Sequence, residues 1–160
     1  MSVTLRPATL GDVPAVRRIA AETWPITYAF VGEEFVAHGL ATWWSEDAVA
    51  TSISAITTLV AEDDGEDGRE VVGMGNLDLR RDPPVIWKLY VRPRAQGTGV
   101  GRLLLEELLA RAEGRPVALE HIDGNDRAAA FYRRHGFVEE RREPDPPWPD
   151  RVWLIRHPGA

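Results

Sequence analysis

The sequence contains no cysteine among its 160 residues. This absence excludes disulfides, thiolate–zinc sites and any mechanism in which a cysteine nucleophile carries an acyl group. Histidine is scarce as well, and the four histidines show no paired metal-ligand spacing, so we predict no metal site. A Gly-x-Ser-x-Gly motif is also missing, which argues against a serine hydrolase of that type.

Long apolar runs and an excess of positive charge are missing too. The longest uncharged stretch, residues 48–61, has 14 residues, fewer than the about 18 that a membrane span needs. A net charge of −6, from 25 acidic and 19 basic residues, argues against a nucleic-acid partner. The N-terminus has no basic segment followed by an apolar run, so we expect no secretory signal and a cytoplasmic location.

The composition is that of a folded globular protein. Hydrophobic residues make up 44% and charged residues 28% of the chain. Its 160 residues are close to the prior of about 150 residues per domain. We therefore expect residues 1–160 to form a single domain.

Periodicity predicts alternating strands and helices. The predicted strands are residues 3–7, 57–61, 71–79, 85–91, 117–122, a segment from 137 onward, and 152–155. The predicted helices follow a cap at Asp12, cover much of residues 24–56 with interruptions at Gly32 and Gly39, and cover residues 96–112 and 125–135. The stripe of the helix over residues 96–112 is formed by Val100, Leu103, Leu104 and Leu108. The proline-rich segment PDPPWPD is predicted to be a connection before the last strand.

A glycine-rich turn, Gln-Gly-Thr-Gly-Val-Gly-Arg over residues 96–102, joins a predicted strand to a predicted helix. Glycines let a ligand approach the main chain, and the free N–H groups of a helix start attract anions. The same glycines are also compatible with a simple packing turn. A dinucleotide fingerprint needs its third glycine where Arg102 stands, and a P-loop needs Gly-Lys-Ser/Thr, so both are disfavoured.

This turn resembles the acetyl-coenzyme A signature Gln/Arg-x-x-Gly-x-Gly/Ala of the GNAT N-acetyltransferase superfamily. The preceding Leu-Tyr-Val-Arg-Pro of residues 89–93 matches it too. A second block, residues 125–137, is similar to the later N-x-x-A-x-x-F-Y-x-x-x-G-F motif of that family, and residues 5–9 are similar to the start of many members. The resemblance spans most of the chain and is weakest over residues 24–56.

The resemblance implies an α/β (α+β) fold with a mixed, mostly antiparallel sheet that is splayed at its centre and flanked by helices. Acetyl-CoA, the cosubstrate, would enter the gap, with no metal required. The family pattern assigns its pantetheine arm to the main chain of Leu89 and Val91 and to Asn125. It assigns the diphosphate to the turn residues Gln96, Gly97, Thr98, Gly99, Val100, Gly101 and Arg102. Arg94 and Arg133 are either ligands of the outer phosphates or solvated surface charges.

The resemblance also implies catalytic roles. The family's matching tyrosine is the general acid for the departing thiolate, which here is Tyr132, seven residues after Asn125 and so on the same side of a helix. Many members place a glutamate base where this chain has Pro83-Pro84. Glu120 resembles the base of ribosomal-protein alanine N-acetyltransferases and is our first choice, with His121 or a relayed water as alternatives. Because side chains alternate along a strand, only one of Glu120 and His121 is expected to line the cleft. Without cysteine, we expect direct transfer in a ternary complex.

The acceptor is predicted to be a primary amine, either a small molecule or a peptide N-terminus. Family architecture would place an aromatic wall over it, formed by Trp24, Tyr28, Phe30, Trp43 and Trp44, although such residues also form cores. Trp148 has three open roles: capping the acceptor pocket, packing on its own sheet, or contacting a second subunit of a homodimer. The alternative functions are a non-catalytic acyl-CoA-binding sensor or interaction module, and a nucleotide-binding protein that uses the glycine turn.

Overall fold

A computed structural model describes residues 2–66 and 68–159. These residues form strands β1 (Val3–Pro7), β2 (Thr57–Asp63), β3 (Glu70–Leu77), β4 (Val85–Ile86), β5 (Leu89–Val91), β6 (Val117–Ile122), β7 (Val138–Asp145) and β8 (Trp148–Arg156). They also form helices α1 (Val13–Thr27), α2 (Glu33–Thr42), α3 (Glu46–Ala55), α4 (Val100–Arg111) and α5 (Asp126–Arg134). None of the helices in the described ranges is long and apolar enough to cross a membrane.

The strands form two four-stranded sheets, in the orders β1-β2-β3-β5 and β4-β6-β8-β7. Every pairing between these strands is antiparallel except that of β4 with β6, which is parallel. The predicted mixed, mostly antiparallel α/β fold, splayed at its centre and flanked by helices, is therefore confirmed.

The first sheet is covered on both faces. Leu59 and Ala61 of β2 belong to the apolar cluster that contains Leu104 of α4, whereas Val60 between them belongs to the cluster that contains Ile19 of α1. Successive side chains of a strand point to opposite faces, so α4 covers one face and α1 the other. Burial on both faces explains why residues 59–61 of β2 are an uninterrupted apolar run.

Helix α4 begins at Val100, four residues after the predicted start at Gln96. Gly97 and Gly99 have φ of +77° and +94°, which a right-handed helix does not accommodate. Within the helix, Leu103 of the predicted stripe is exposed, and Leu105 is buried in its place.

The strand predicted over residues 85–91 is interrupted at Trp87 and Lys88, so the prediction of one continuous strand is wrong. Asn76 of β3, which is only 1% exposed, holds the interruption. Its side-chain oxygen accepts hydrogen bonds from the N–H groups of Trp87 (3.1 Å) and Lys88 (2.8 Å). These bonds replace a regular ladder, so β4 pairs in the second sheet and β5 in the first.

Gly39 lies inside α2, so the predicted interruption there is wrong, whereas Gly32 is the N-cap of α2 as predicted. Trp24 of α1 explains the glycine, because a Cβ atom at residue 39 would lie 2.1 Å from Trp24 Cζ3. The second interruption comes after α2 instead. There Ser45 caps α3 by accepting a hydrogen bond from the N–H of Ala48 at 3.1 Å.

The Gly39→Ala variant is expected to lower the free energy of unfolding by about 1–3 kcal/mol, because the added methyl group overlaps the buried Trp24 ring. Helix propensity alone would make alanine stabilising at this position, so the packing contact determines whether the free energy of unfolding falls or rises. Gly101→Ala in α4 is the matched control, since its Cβ would lie 3.7 Å from the nearest atoms. Denaturant unfolding of both variants checks this, and a stabilised Gly39→Ala would contradict the close α1–α2 approach.

The segment PDPPWPD is mostly strand rather than the predicted connection. Strand β7 runs to Asp145 and β8 begins at Trp148, and these two residues pair across a turn formed by Pro146 and Pro147. The prolines argue against strands in the sequence, because proline has no N–H group to donate to a neighbouring strand. Trp148 is half-buried and packs edge-on against Phe35 of α2, with ring centroids 5.3 Å apart.

Candidate active site

The two sheets diverge at the strand interruption and leave a cleft between β5 and β6. β5 pairs only with β3, to which the Lys88 carbonyl and the Arg92 N–H are hydrogen-bonded at 2.9 and 2.7 Å. Backbone groups of alternate residues point to opposite edges of a strand, so those of Leu89 and Val91 face the cleft. The Val91 carbonyl already accepts a hydrogen bond from the Gln96 side chain at 3.0 Å. The rest of this edge is available for an extended ligand to pair with, as an added strand would.

A cavity of about 390 Å³, here called the basic cavity, lies between β5, α4 and α5. Arg102, Arg127 and Arg134 line it, and none of the acidic residues that the structure describes does so. A local cluster of positive charge in a chain of net charge −6 favours a negatively charged ligand.

The glycine turn forms one wall of the basic cavity. The Gln96 side chain fixes it by donating to the Val91 carbonyl (3.0 Å) and accepting from Arg127 Nη1 (2.9 Å). A Cβ atom at Gly97 or Gly99 would meet nothing within 4 Å, so these glycines are required by their left-handed φ and not by crowding. Gly99, the N-cap of α4, offers no capping side chain, which leaves N–H groups of the first turn for an anion.

Eight of the ten residues predicted to hold the coenzyme line this cavity, namely Leu89, Val91, Gln96, Gly97, Gly99, Gly101, Arg102 and Asn125. Thr98 and Val100 do not. The Thr98 hydroxyl donates to the Ala95 carbonyl, and the Val100 side chain is buried in the core. For Val100, only the main-chain N–H group remains a candidate ligand.

Asn125 and Tyr132 both line the basic cavity and the cleft between β5 and β6, as their seven-residue spacing on α5 predicts. Asn125 is also the N-cap of α5, because its side-chain oxygen accepts from the N–H of Ala128 at 3.3 Å. The Tyr132 hydroxyl has no hydrogen-bond partner in the described part of the chain. Burial raises the pKa of Tyr132 well above its usual range, so the phenol stays protonated at neutral pH.

A pair of tyrosines, Tyr28 and Tyr90, lies near Tyr132. The hydroxyls of Tyr28 on α1 and Tyr90 on β5 are 2.8 Å apart. Burial raises the pKa of both residues and outweighs the opposing effect of their neighbours on Tyr28. Tyr90 borders the basic cavity, the cleft and the larger cavity described below, so the tyrosines lie between the basic cavity and the predicted acceptor side.

Glu120 lies on β6 at the opposite edge of the cleft. Its Oε2 is 3.3 Å from Arg151 Nη1, and its side chain is 24% exposed. Desolvation raises the pKa of Glu120 and outweighs the opposing effect of Arg151, while Glu143 and Asp145 raise it further. A carboxylate with a raised pKa beside a cleft suits a general base.

Glu120 and His121 both border the cleft and the larger cavity described below. The expectation that only one of them lines the cleft is therefore wrong. Beyond Leu119, β6 no longer pairs with β4, and the cleft runs along its edge, where residues from both faces meet it. His121 Nδ1 lies 3.0 Å from the Ile122 carbonyl, a contact that engages one ring nitrogen.

A larger cavity of about 590 Å³, here called the aromatic cavity, lies on the other side of the tyrosine pair. Four of the five residues predicted to form an aromatic wall line it, namely Trp24, Tyr28, Trp43 and Trp44. Phe30 does not line it; it is 50% exposed and lies against the loop at Gly124. The four rings also belong to or contact the core around α1, so wall and core are the same residues here.

Several residues that line these cavities were not predicted from the sequence as site residues. They include Arg127, Arg134, Lys88 and Arg151. A signal for the first two was present, because they are seven residues apart, like Asn125 and Tyr132, and therefore share one side of α5. No sequence pattern indicates the other two. Lys88 lies at the strand interruption, and Arg151 lies in the part of β8 that precedes the predicted strand.

The other predicted cations lie elsewhere. Arg94 is paired with Glu70 at 2.6 Å and Asp63 at 3.5 Å, and neither it nor the exposed Arg133 lines the basic cavity. In the ranges that the structure describes, no group of three or more potential metal ligands occurs.

Comparison with known proteins agrees with this geometry. Residues 54–139, over half of the chain, match the family model described as acetyltransferase (GNAT) domain. The N-alpha-acetyltransferase RimI of Mycobacterium tuberculosis (strain ATCC 25618 / H37Rv) is 43% identical over 74 residues, which are 44% of this chain and 47% of that protein. Serotonin N-acetyltransferase 2, chloroplastic, of Oryza sativa subsp. japonica is 38% identical over 54 residues, 34% of this chain and 27% of that protein. The chain thus matches less than half the length of either curated relative.

Among solved structures, the PaiA N-acetyltransferase of Thermoplasma acidophilum in complex with coenzyme A has a TM-score of 0.84 and 22% identity, covering 98% of this chain and 99% of that one. The ribosomal-protein-S18-alanine N-acetyltransferase of Escherichia coli has a TM-score of 0.73 and 20% identity, covering 97% and 93% of the two chains. At these identities the similarity demonstrates a shared fold.

Proposed function

Because this chain belongs to the GNAT acetyltransferase domain family, we propose that it is an acetyl-CoA-dependent N-acetyltransferase acting on a primary amine in one direct step. The observation that carries the proposal is the cleft itself. One strand edge, one arginine-lined cavity and one half-buried tyrosine, whose raised pKa keeps it protonated, converge there. We further propose that residues 1–160 act as a single domain. A cytoplasmic location remains a prediction from the sequence.

The residues of the basic cavity fit coenzyme A chemically. The edge of β5 at Leu89 and Val91 suits the amide groups of a pantetheine arm, and the uncapped start of α4 suits a diphosphate. The arginines that line the cavity would neutralise the phosphates. When bound, acetyl-CoA supplies an acetyl group as a thioester.

The residues at the centre of the cleft would move the protons. As the amine nitrogen forms the new C–N bond, Glu120 takes the proton that the amine loses. As the C–S bond breaks, the Tyr132 hydroxyl gives a proton to the sulfur. Solvent then removes the proton from Glu120 and reprotonates Tyr132, so the products are an amide and a free thiol.

Release of free thiol from acetyl-CoA in the presence of a panel of amines tests this proposal. We expect amine-dependent release and intersecting double-reciprocal plots, since both substrates must be bound together. Coenzyme binding without turnover across the panel would instead favour a non-catalytic acyl-CoA-binding module. Thermal stabilisation by ATP or NAD but not by acetyl-CoA would favour a nucleotide-binding protein.

Arg134→Gln is expected to weaken acetyl-CoA binding by about 2- to 10-fold, because Arg134 lines the basic cavity, where its charge would attract the phosphates. The dependence of the dissociation constant on salt should decrease at the same time. Arg133→Gln is the matched control, since Arg133 is the neighbouring residue on α5, is exposed and does not line the cavity. Calorimetric titration at two salt concentrations measures both effects, and equal losses for the two variants would contradict this placement of the phosphates.

A further inference from the structure

Lys88 places an ammonium group in the wall of the aromatic cavity. It lies between β4 and β5 and borders both this cavity and the cleft. Its Nζ is 4.0 Å from the centroid of the Trp44 ring and donates to the Trp43 carbonyl at 2.5 Å. An ammonium group has three N–H donors, so this arrangement leaves donors for a ligand.

The charge of Lys88 is not neutralised by a carboxylate, unlike that of the other cations in this cavity. Arg80 is paired with Asp78 at 2.9 Å, and Arg151 with Glu120 and Glu143 at 3.3 and 2.9 Å. Within the described ranges, no carboxylate oxygen lies within 4.0 Å of Lys88 Nζ. A half-buried cation without a counter-ion is unfavourable unless a ligand supplies the negative charge.

Lys88 and the proposed base line the same cavities, so one ligand can contact both. Glu120 borders the same two cavities from the opposite strand, β6. An acceptor whose amine approaches Glu120 can therefore extend toward Lys88, with its apolar part against Trp43 and Trp44. The volume of about 590 Å³ is within the range of small-molecule sites.

We propose that the acceptor is a free amino acid or a similar zwitterion, whose carboxylate is bound by Lys88. This inference rests on the proposed acetyltransferase function and narrows its acceptor to one class. The ammonium group also disfavours polyamines, because a second positive charge in the acceptor would meet Lys88. A peptide N-terminus lacks a carboxylate next to its amine and would leave Lys88 unpaired.

The test compares free L-phenylalanine and L-methionine with their primary amides as acceptors. The α-amino group of an amino acid amide is less basic than that of the free amino acid. For this reason kcat/KM is calculated on the concentration of unprotonated amine. We expect the wild type to prefer each acid over its amide by about 10- to 100-fold, the range for a hydrogen bond between charged groups. Lys88→Met is expected to remove most of this preference, and Lys88→Arg to retain it.

The pH dependence provides an independent readout. Burial lowers the pKa of Lys88 to about 8, so the ammonium group loses its charge as the pH rises through that value. The preference of the wild type for the acid is therefore expected to fall above about pH 8, whereas Lys88→Arg keeps it. The other charged and titratable residues that line the cavity are Tyr28, Asp78, Arg80, Tyr90, Glu120, His121, Asp145 and Arg151. None of the carboxylates among them lies within 4.0 Å of the ammonium nitrogen, and burial is the cause of the lowered pKa.

The outcomes separate this inference from the proposed function. Equal kcat/KM values for acids and amides, or an equal loss on both in Lys88→Met, would overturn the carboxylate site while leaving acetyl transfer intact. A Lys88 that served only the packing of Trp44 would change the melting temperature without changing the acid-to-amide ratio. If no amine is acetylated at all and acetyl-CoA does not bind, the proposed function itself fails.

Discussion

Tyr132→Phe is expected to lower kcat by about 10²- to 10⁴-fold, the usual contribution of a positioned general acid. The phenylalanine ring keeps the contacts of Tyr132 with Phe131 and Phe137, so the loss arises from one hydroxyl group. That hydroxyl has no hydrogen-bond partner in the described residues, and burial keeps it protonated by raising its pKa. The dissociation constant of acetyl-CoA is expected to change little.

Tyr28→Phe provides the matched control for this experiment. It removes a hydroxyl from the same tyrosine cluster, but one that is engaged with Tyr90 at 2.8 Å. We expect a smaller decrease of kcat and a lower melting temperature, since the buried Tyr90 hydroxyl would lose its partner. Steady-state kinetics with coenzyme titrations distinguishes the two variants. A loss in Tyr28→Phe as large as that in Tyr132→Phe would show that Tyr132 is not the proton donor.

Glu120→Gln is expected to lower kcat/KM by about 10²- to 10⁴-fold at neutral pH, because glutamine cannot accept the proton of the amine. The variant should also lose the acid limb of the pH profile when kcat/KM is calculated on unprotonated amine. In the wild type we expect the midpoint of that limb above the ordinary glutamate value, since desolvation raises the pKa of Glu120. The carboxylate form, which acts as the base, is present only above this midpoint.

Two neighbouring substitutions should shift this midpoint in opposite directions. Arg151 lowers the pKa of Glu120, so Arg151→Gln is expected to move the midpoint upward. Asp145 raises it, so Asp145→Asn is expected to move the midpoint downward. A pH profile that is unchanged in both variants, or retained in Glu120→Gln, would assign the base to His121 or to a bound water.

The parts of the site that were predictable from the sequence are those with a local origin. The glycine turn is encoded by neighbouring residues, because a left-handed φ favours glycine wherever it occurs. The seven-residue spacing of Asn125 and Tyr132 likewise fixes their shared side of α5 without reference to the rest of the fold. These features depend on neighbouring residues and do not require contacts between distant segments.

The acceptor side was less predictable because its features arise between distant segments. Gly39 indicates a helix interruption by propensity, yet it permits close contact with Trp24, fifteen residues earlier. The prolines around Trp148 obscured a long hairpin. Lys88 becomes a candidate ligand only because Asn76 interrupts the strand and Trp43 and Trp44 surround the ammonium group.

By itself the sequence indicated a mixed α/β fold of a known family, a glycine turn before a helix, and the shared side of a second helix on which Asn125 and Tyr132 lie. Only the tertiary structure decided where the sheets diverge, which arginines meet the turn and which charge in the aromatic cavity remains unpaired. The physical reason is range. Backbone conformation and helix spacing depend on neighbouring residues, whereas desolvation and charge pairing depend on groups that only the folded chain brings together.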